Sequence, residues 1–208
     1  MNDILSDVSE YYSDKLKEYG ATPRGVDWNN EQDQFRRFEQ LCKAIETKNY
    51  FTLNDIGCGY GALYEYMFDK FPSLKYCGID ISRKMIVAAA KNINQANASF
   101  AVSSAPQSIA DYCVASGIFN VKLEHKDDIW LEYIISTLDM MNKYSAKAFA
   151  FNCLTSYSDA DKIRKDLYYA DPCYLFDHCK RNYSRHVALL HDYGLWEFTI
   201  IIRKEPGK

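Results

Sequence analysis

Asp55-Ile56-Gly57-Cys58-Gly59-Tyr60-Gly61 ends a run of strand character over residues 50–56 and leads into a helical run over 62–71. Three glycines at alternate positions let a strand-to-helix connection turn tightly and bring backbone N–H groups against a ligand, at the electropositive end of the helix. A turn with no ligand needs neither the third glycine nor the carboxylate ahead of the first. One strand further on, Asp80 ends Cys77-Gly78-Ile79-Asp80, where an acid is placed to accept hydrogen bonds from ribose hydroxyls. Alone, Asp80 would serve equally as an acid stabilised at a helix N-terminus. Together, turn and acid predict a nucleoside-bearing cofactor across the carboxyl ends of these strands.

Outward from this unit, strands and helices alternate. Strands are predicted over 74–80, 98–103, 112–118 and 146–154, and helices over 82–94, with Ser82 as N-cap, and 127–142. The alternation implies right-handed βαβ units and a mostly parallel, doubly wound α/β sheet. Two further runs, 184–192 and 195–203, are separated by Tyr193-Gly194, too close for a parallel crossover, so they predict an antiparallel C-terminal hairpin at a sheet edge. Toward the N-terminus, Ile4, Leu5, Val8, Tyr11, Tyr12 and Leu16 mark an amphipathic helix stopped by Gly20, and Phe35, Phe38, Leu41, Cys42 and Ile45 mark a second. The expected organisation is a single domain over 1–208, with an N-terminal helical cap over 1–48 and a Rossmann-like core over 49–208.

Composition removes several classes. With 208 residues, 48% apolar and 25% charged, the chain is an ordinary globular one rather than disordered, collagenous or coiled-coil. A net charge of −3 lacks the basic face of a broad nucleic-acid footprint. No window approaches about 18 uninterrupted apolar residues, so no membrane span is expected, and residues 1–20 are acidic and amphipathic rather than signal-like. Seven cysteines without a Cys-x-x-Cys pair predict no metal site and a reduced, cytoplasmic protein.

Gly57-x-Gly59-x-x-Ala62 also satisfies the loose dinucleotide fingerprint, which keeps a nicotinamide- or flavin-dependent oxidoreductase open. Against it stand the terminal hairpin and Asp55, a carboxylate better suited to a cationic amino group than to a pyrophosphate. On these residues the chain resembles the class I S-adenosylmethionine-dependent methyltransferases. Asp55, Gly57, Gly59 and Gly61 match that family's Asp/Glu-x-Gly-x-Gly-x-Gly motif, Asp80 its ribose-binding acid, Asp80-Ile81-Ser82 with Met85 the usual continuation, and residues 111–119 its fourth strand. The resemblance, over about residues 50–203, implies a seven-stranded sheet of order 3-2-1-4-5-7-6 with S-adenosyl-L-methionine as cofactor. It assigns cofactor contacts to Asp55, Gly57, Cys58, Gly59, Gly61, Asp80 and Ile81, with Ser116 and Gly117 beside the methyl group. Where many members carry an acid after strand three, this chain has Val102-Ser103-Ser104-Ala105, so Ser104 or backbone groups are expected to hold adenine. A non-catalytic cofactor-binding subunit would keep the same fold.

The acceptor is expected to be a small molecule, with no nucleic acid or membrane partner. Asp171-Pro172-Cys173-Tyr174 resembles the Asp/Asn-Pro-Pro-Tyr motif of nucleic-acid amino methyltransferases, but it lies beyond strand five and reads better as a helix start with proline at its first position. His178, Lys180, Arg181, Arg185 and His186 read either as a decorated helix C-terminus or as a patch for an anionic acceptor. His191, beside the Tyr193-Gly194 turn, is a candidate general base or a structural edge-strand residue. A pocket wall is expected from Tyr157, Tyr168, Tyr169 and Tyr174, with Arg24, Trp28, Asn120 and Asn152 as polar contacts, or else these tyrosines pack a peripheral helix. Tyr11, Tyr12 and Arg37 are placed to close over the methionine end of the cofactor.

Overall fold

In the computed structural model, which describes residues 2–47 and 49–205, the β-runs pair into one sheet. Its strands are β1 (Phe51–Ile56), β2 (Leu74–Asp80), β3 (Ala98–Val102), β4 (Ala110–Ala115), β5 (Ser145–Leu154), β6 (His186–Leu190) and β7 (Glu197–Arg203). They lie in the order β3-β2-β1-β4-β5-β7-β6, as expected. The first five are mutually parallel, while β7 runs antiparallel to both β5 and β6. The chain winds outward from β1 to β3 and then returns to β4, which opens a crevice at the carboxyl ends of β1 and β4.

Among the described residues six α-helices flank the sheet: α1 (Asn2–Tyr19), α2 (Glu31–Cys42), α3 (Ala62–Phe68), α4 (Arg83–Asn92), α5 (Asp127–Lys143) and α6 (Pro172–Asn182). Alternation along the strands sends Phe149 and Phe151 of β5, with Ile200 and Ile202 of β7, onto Trp130, Ile134 and Leu138 of α5 and Leu175 of α6. The opposite face carries Ala150 and Ile201 against Phe38 and Leu41 of α2 and Leu63 and Met67 of α3. Each large apolar side chain buried this way contributes roughly 1.5–3 kcal/mol.

Local chemistry sets several ends. Ser82 Oγ accepts from Met85 N at 3.3 Å to start α4. Asp171 accepts from the N–H groups of Cys173 and Tyr174 at 2.8 and 3.1 Å to start α6 at Pro172, and such a cap is worth about 1 kcal/mol. Strand four ends at Ala115 rather than 118, because Gly117 at φ 75° turns the chain out of the sheet. The hairpin connection is also longer than Tyr193-Gly194, spanning residues 191–196 between β6 and β7. The expected cap–core boundary falls at Lys48, which, like Met1 and residues 206–208, lies outside the described residues.

The N-terminal helix lies across the carboxyl end of β2. Ser9 Oγ donates to Ile81 O at 3.4 Å, and the Ser13 and Ser82 hydroxyls are 2.8 Å apart. Tyr11 and Lys15 both hold Asp27, at 2.8 and 2.9 Å, fastening α1 to the 3-10 turn Pro23–Val26 that Asp27 closes. Among the described residues no helix is long and apolar enough to cross a membrane.

Candidate active site

A cavity of about 260 Å³ lies between α1 and the carboxyl ends of β2, β1 and β4. Its floor is the β1–α3 connection. Gly57 holds φ 69° there, and a Cβ would meet Ile118 Cγ2 at 2.3 Å, so only glycine fits. Gly59 N donates to Asp80 Oδ2 at 3.0 Å, while Asp80 Oδ1 accepts from Ser82 N at 2.8 Å. One carboxylate therefore braces both the glycine turn and the start of α4. The walls are largely apolar: Leu5, Val8 and Tyr12 from α1, Ile81 and Met85 from the β2–α4 segment, and Ile118, Tyr133 and Met140 opposite. A second cavity of about 40 Å³ shares Val26, Trp28, Gly57, Gly59 and Ser116 with the first and adds Asp55, Cys58, Gln34 and Phe38.

Two carboxylates, Asp55 buried and Asp80 half-buried, define the electrostatics. Burial raises the pKa of Asp55 to about 7; the Tyr76 hydroxyl, donating to Oδ2 at 2.5 Å, partly opposes this, and the charge on Asp80 adds to it. Burial raises Asp80 to about 6 against the N–H groups of Ser82 and Gly59. Among the described residues neither forms a salt bridge with a lysine, arginine or histidine. Burial pushes the Cys58 thiol well up, so it stays protonated and serves as a small residue in the turn.

Gly57, Gly59, Asp80, Ile81, Ser104, Ser116, Gly117 and Trp28 line the larger cavity, and Asp55 and Cys58 the smaller. Gly61 lines neither. It is the N-cap of α3 at φ 92°, where a Cβ would strike Ile93 Cδ1 at 2.4 Å. Asn152, expected at the acceptor, is fully buried beneath the turn that follows β4. Its Oδ1 accepts from Gly117 N at 2.7 Å and its Nδ2 lies 3.4 Å from Ser116 Oγ, so it shapes the turn after β4. Asn120 likewise ties that segment to β5 by accepting from Leu154 N at 3.0 Å. Tyr157 is 64% exposed and packs beside His191, 6.0 Å between ring centroids. Both lie outside the two cavities, because the longer β6–β7 connection carries His191 to the surface. In the basic run, Arg181 pairs with Asp177 at 2.6 Å and Arg185 with Glu205 at 2.7 Å, which favours a decorated helix end over an anion patch.

A family profile described as Methyltransferase domain matches residues 54–136. The Mycobacterium tuberculosis (strain ATCC 25618 / H37Rv) protein named "Putative methyltransferase Rv1506c" is 55% identical over 163 residues, spanning 78% of this chain and 98% of that one. The chain belongs to the class I S-adenosylmethionine-dependent methyltransferases. Two solved structures share the methyltransferase fold at low identity. The magnesium protoporphyrin IX methyltransferase of Synechocystis PCC 6803, with S-adenosylhomocysteine bound, aligns at a TM-score of 0.67 and 11% identity over 96% of this chain and 99% of that one. The plantazolicin methyltransferase BpumL, in complex with S-adenosylhomocysteine, aligns at 0.62 and 14% identity over 98% and 99%. Membership of the methyltransferases sets aside the dinucleotide reading of the glycine turn.

Several residues of the methyltransferase cleft are absent from the sequence expectations. Leu5, Val8 and Ser9 of α1 line it ahead of Tyr12, which is expected over the methionine end and lines the larger cavity, and Tyr133, Ser136, Thr137 and Met140 line it at i, i+3, i+4 and i+7 of α5. In sequence, such a stripe reads the same whether it covers a core or a ligand. Tyr76, the partner of Asp55, reads as an ordinary strand aromatic.

Proposed function

We propose that this methyltransferase transfers a methyl group from S-adenosylmethionine to a small-molecule acceptor, with the adenosine in the larger cavity and the methionine end in the smaller. The observation that carries this reading is a pair of carboxylates, Asp80 in the larger cavity and Asp55 in the smaller adjoining one, with no protein counter-ion among the described residues. Asp80 Oδ2 accepts from Gly59 N and Oδ1 from Ser82 N, and the carboxylate has acceptor capacity beyond these for a ribose diol. Asp55, facing the smaller cavity, suits the cationic amino group. Ile81, Met85, Ile118 and Met140 suit the faces of a purine and Ser104 its polar edge. Gly61 contributes by letting α3 start close behind the turn.

When bound, the cofactor supplies a methyl group already activated by the sulfonium charge. The protein's work is then alignment and exclusion of water. Ser116 and Gly117, fixed from behind by Asn152, provide the floor against which an acceptor is oriented. Trp28 and α1 provide the cover. The small-molecule reading is supported by that cover: Leu5, Val8 and Tyr12 of α1, Val26 of the 3-10 turn and Trp28 all line the cleft, a setting suited to a small acceptor. Seven free cysteines favour a reducing, cytoplasmic setting.

The test is to incubate the protein with methyl-labelled S-adenosylmethionine and a cell extract separated into metabolites, total RNA, DNA and protein. Label is expected in the metabolite fraction. Label confined to RNA, DNA or protein contradicts the small-molecule reading.

A further inference from the structure

Arg37 is a buried charge that the chemistry above leaves unused. It projects from α2 with 8% of its surface exposed, and its Nε and Nη2 donate in parallel to the two oxygens of Glu197, each at 2.8 Å. Its Nη1 is buried and has no partner. The guanidinium lies 3.9 Å from the centroid of the Trp28 ring. Trp28 in turn rests on Gly117, where a Cβ would meet its Cζ2 at 2.3 Å. Glu197 is the register partner of Leu154 at the carboxyl end of β5. The Arg37 group therefore spans from the end of β4 toward β7, on the opposite side of β4 from Asp55 and Asp80. With strands about 4.8 Å apart, Glu197 sits roughly 14 Å along the sheet from β1.

Desolvating an ion pair offsets most of its attraction, and a buried N–H without an acceptor is a further loss. Arg37 itself lines neither cavity, but Trp28, on which it stacks, lines both, so a ligand that displaces the indole would meet the guanidinium. Resting on the cofactor placement above, we infer that Arg37 Nη1 anchors a carboxylate of the acceptor, with Trp28 as the movable wall that leaves Gly117 to admit it. Glu197 occupies one edge of the planar guanidinium, and the other edge presents N–H groups that bind an oxyanion more strongly than a neutral carbonyl. Glu197 also holds the fork in a fixed orientation. The acceptor class is thus a small carboxylate-bearing molecule with a flat body able to pack against the indole.

The test is calorimetric titration of the S-adenosylhomocysteine-saturated protein with benzoate and with its neutral isostere benzamide. It is run on the unaltered protein, on Arg37→Lys, and on the double variant Arg37→Gln/Glu197→Gln, which replaces the ion pair with hydrogen-bonding amides. Expected are saturable benzoate binding, benzamide binding at least about tenfold weaker, and loss of benzoate affinity by at least about tenfold in both variants while S-adenosylhomocysteine affinity stays within about twofold. The inference is overturned by absent benzoate binding, by equal binding of benzamide, or by benzoate binding that the double variant keeps. A fall in S-adenosylhomocysteine affinity in the variants would assign Arg37 to the carboxylate of the cofactor instead, which also overturns it. Failure of the unaltered protein to bind S-adenosylhomocysteine would instead remove the cofactor placement itself.

Discussion

Asp80 holds Gly59 and Ser82 in place while lining the cleft, and burial lifts it to about 6 while Asp55 rises to about 7. A ribose diol and an amino group both favour the ionised carboxylates, so binding in the acid range must expel protons. Affinity for S-adenosylhomocysteine is therefore expected to fall by about tenfold or more from pH 8 to pH 5, with the released protons visible as a buffer-dependent heat of binding. Gly117→Ala places a Cβ on Trp28 at a residue held at φ 75°. It is expected to lower stability by about 1–3 kcal/mol and to slow methyl transfer more than it weakens cofactor binding, checked by thermal melting and single-turnover assays. At this scale, residues that serve through the backbone or a local motif are legible in sequence: the glycines, Asp55 and Asp80 show themselves by spacing. Asn152, whose role depends on Gly117 N 35 positions away, and Arg37, whose partner Glu197 lies 160 positions away, do not. Their meaning is created only when β4, β5 and β7 come together.

Among the elements, α1 does two jobs that its sequence pattern does not separate. Its apolar stripe packs partly on the core through Ile4 and Val8 and partly over the cavity through Leu5 and Tyr12. It is fastened through Asp27, which takes Tyr11 and Lys15 together. Asp27→Asn keeps a residue tolerant of the left-handed backbone while removing the ion pair. It is expected to speed dissociation of S-adenosylhomocysteine about three- to tenfold in stopped-flow measurements, with the melting temperature lowered by only a few degrees. The strand ends were the least legible feature. Ile118 and Phe119 extend the apolar run past Ala115, and pattern alone does not reveal that Gly117 breaks it. The same limit hid the length of the β6–β7 connection, and with it the outward placement of His191.

For the molecule as a whole, alternation of strands and helices made the parallel sheet legible, and the spacing of the last two runs made the antiparallel hairpin so. The strand order came from resemblance to the family, since alternation alone fits other doubly wound orders. A global consequence follows from the two raised carboxylates. Between about pH 4 and pH 7 the folded state holds more protons than the unfolded chain, so the ligand-free protein is expected to lose stability as pH rises through that window. Asp111 and Asp166 are lowered by Lys147 and Arg164, and their opposite contribution is lost only below that window. Melting without ligand should thus occur at higher temperature near pH 5.5 than near pH 7.5, and Asp55→Asn/Asp80→Asn should flatten the difference. The central claim, that this cleft holds the methyl donor through Asp80, is tested most directly by calorimetric titration with S-adenosylhomocysteine of the unaltered protein and Asp80→Asn, side by side at pH 7.5. One-to-one binding in the micromolar range, weakened by about tenfold or more in the variant, is the expected result; no binding, or equal affinity in the two proteins, would contradict it.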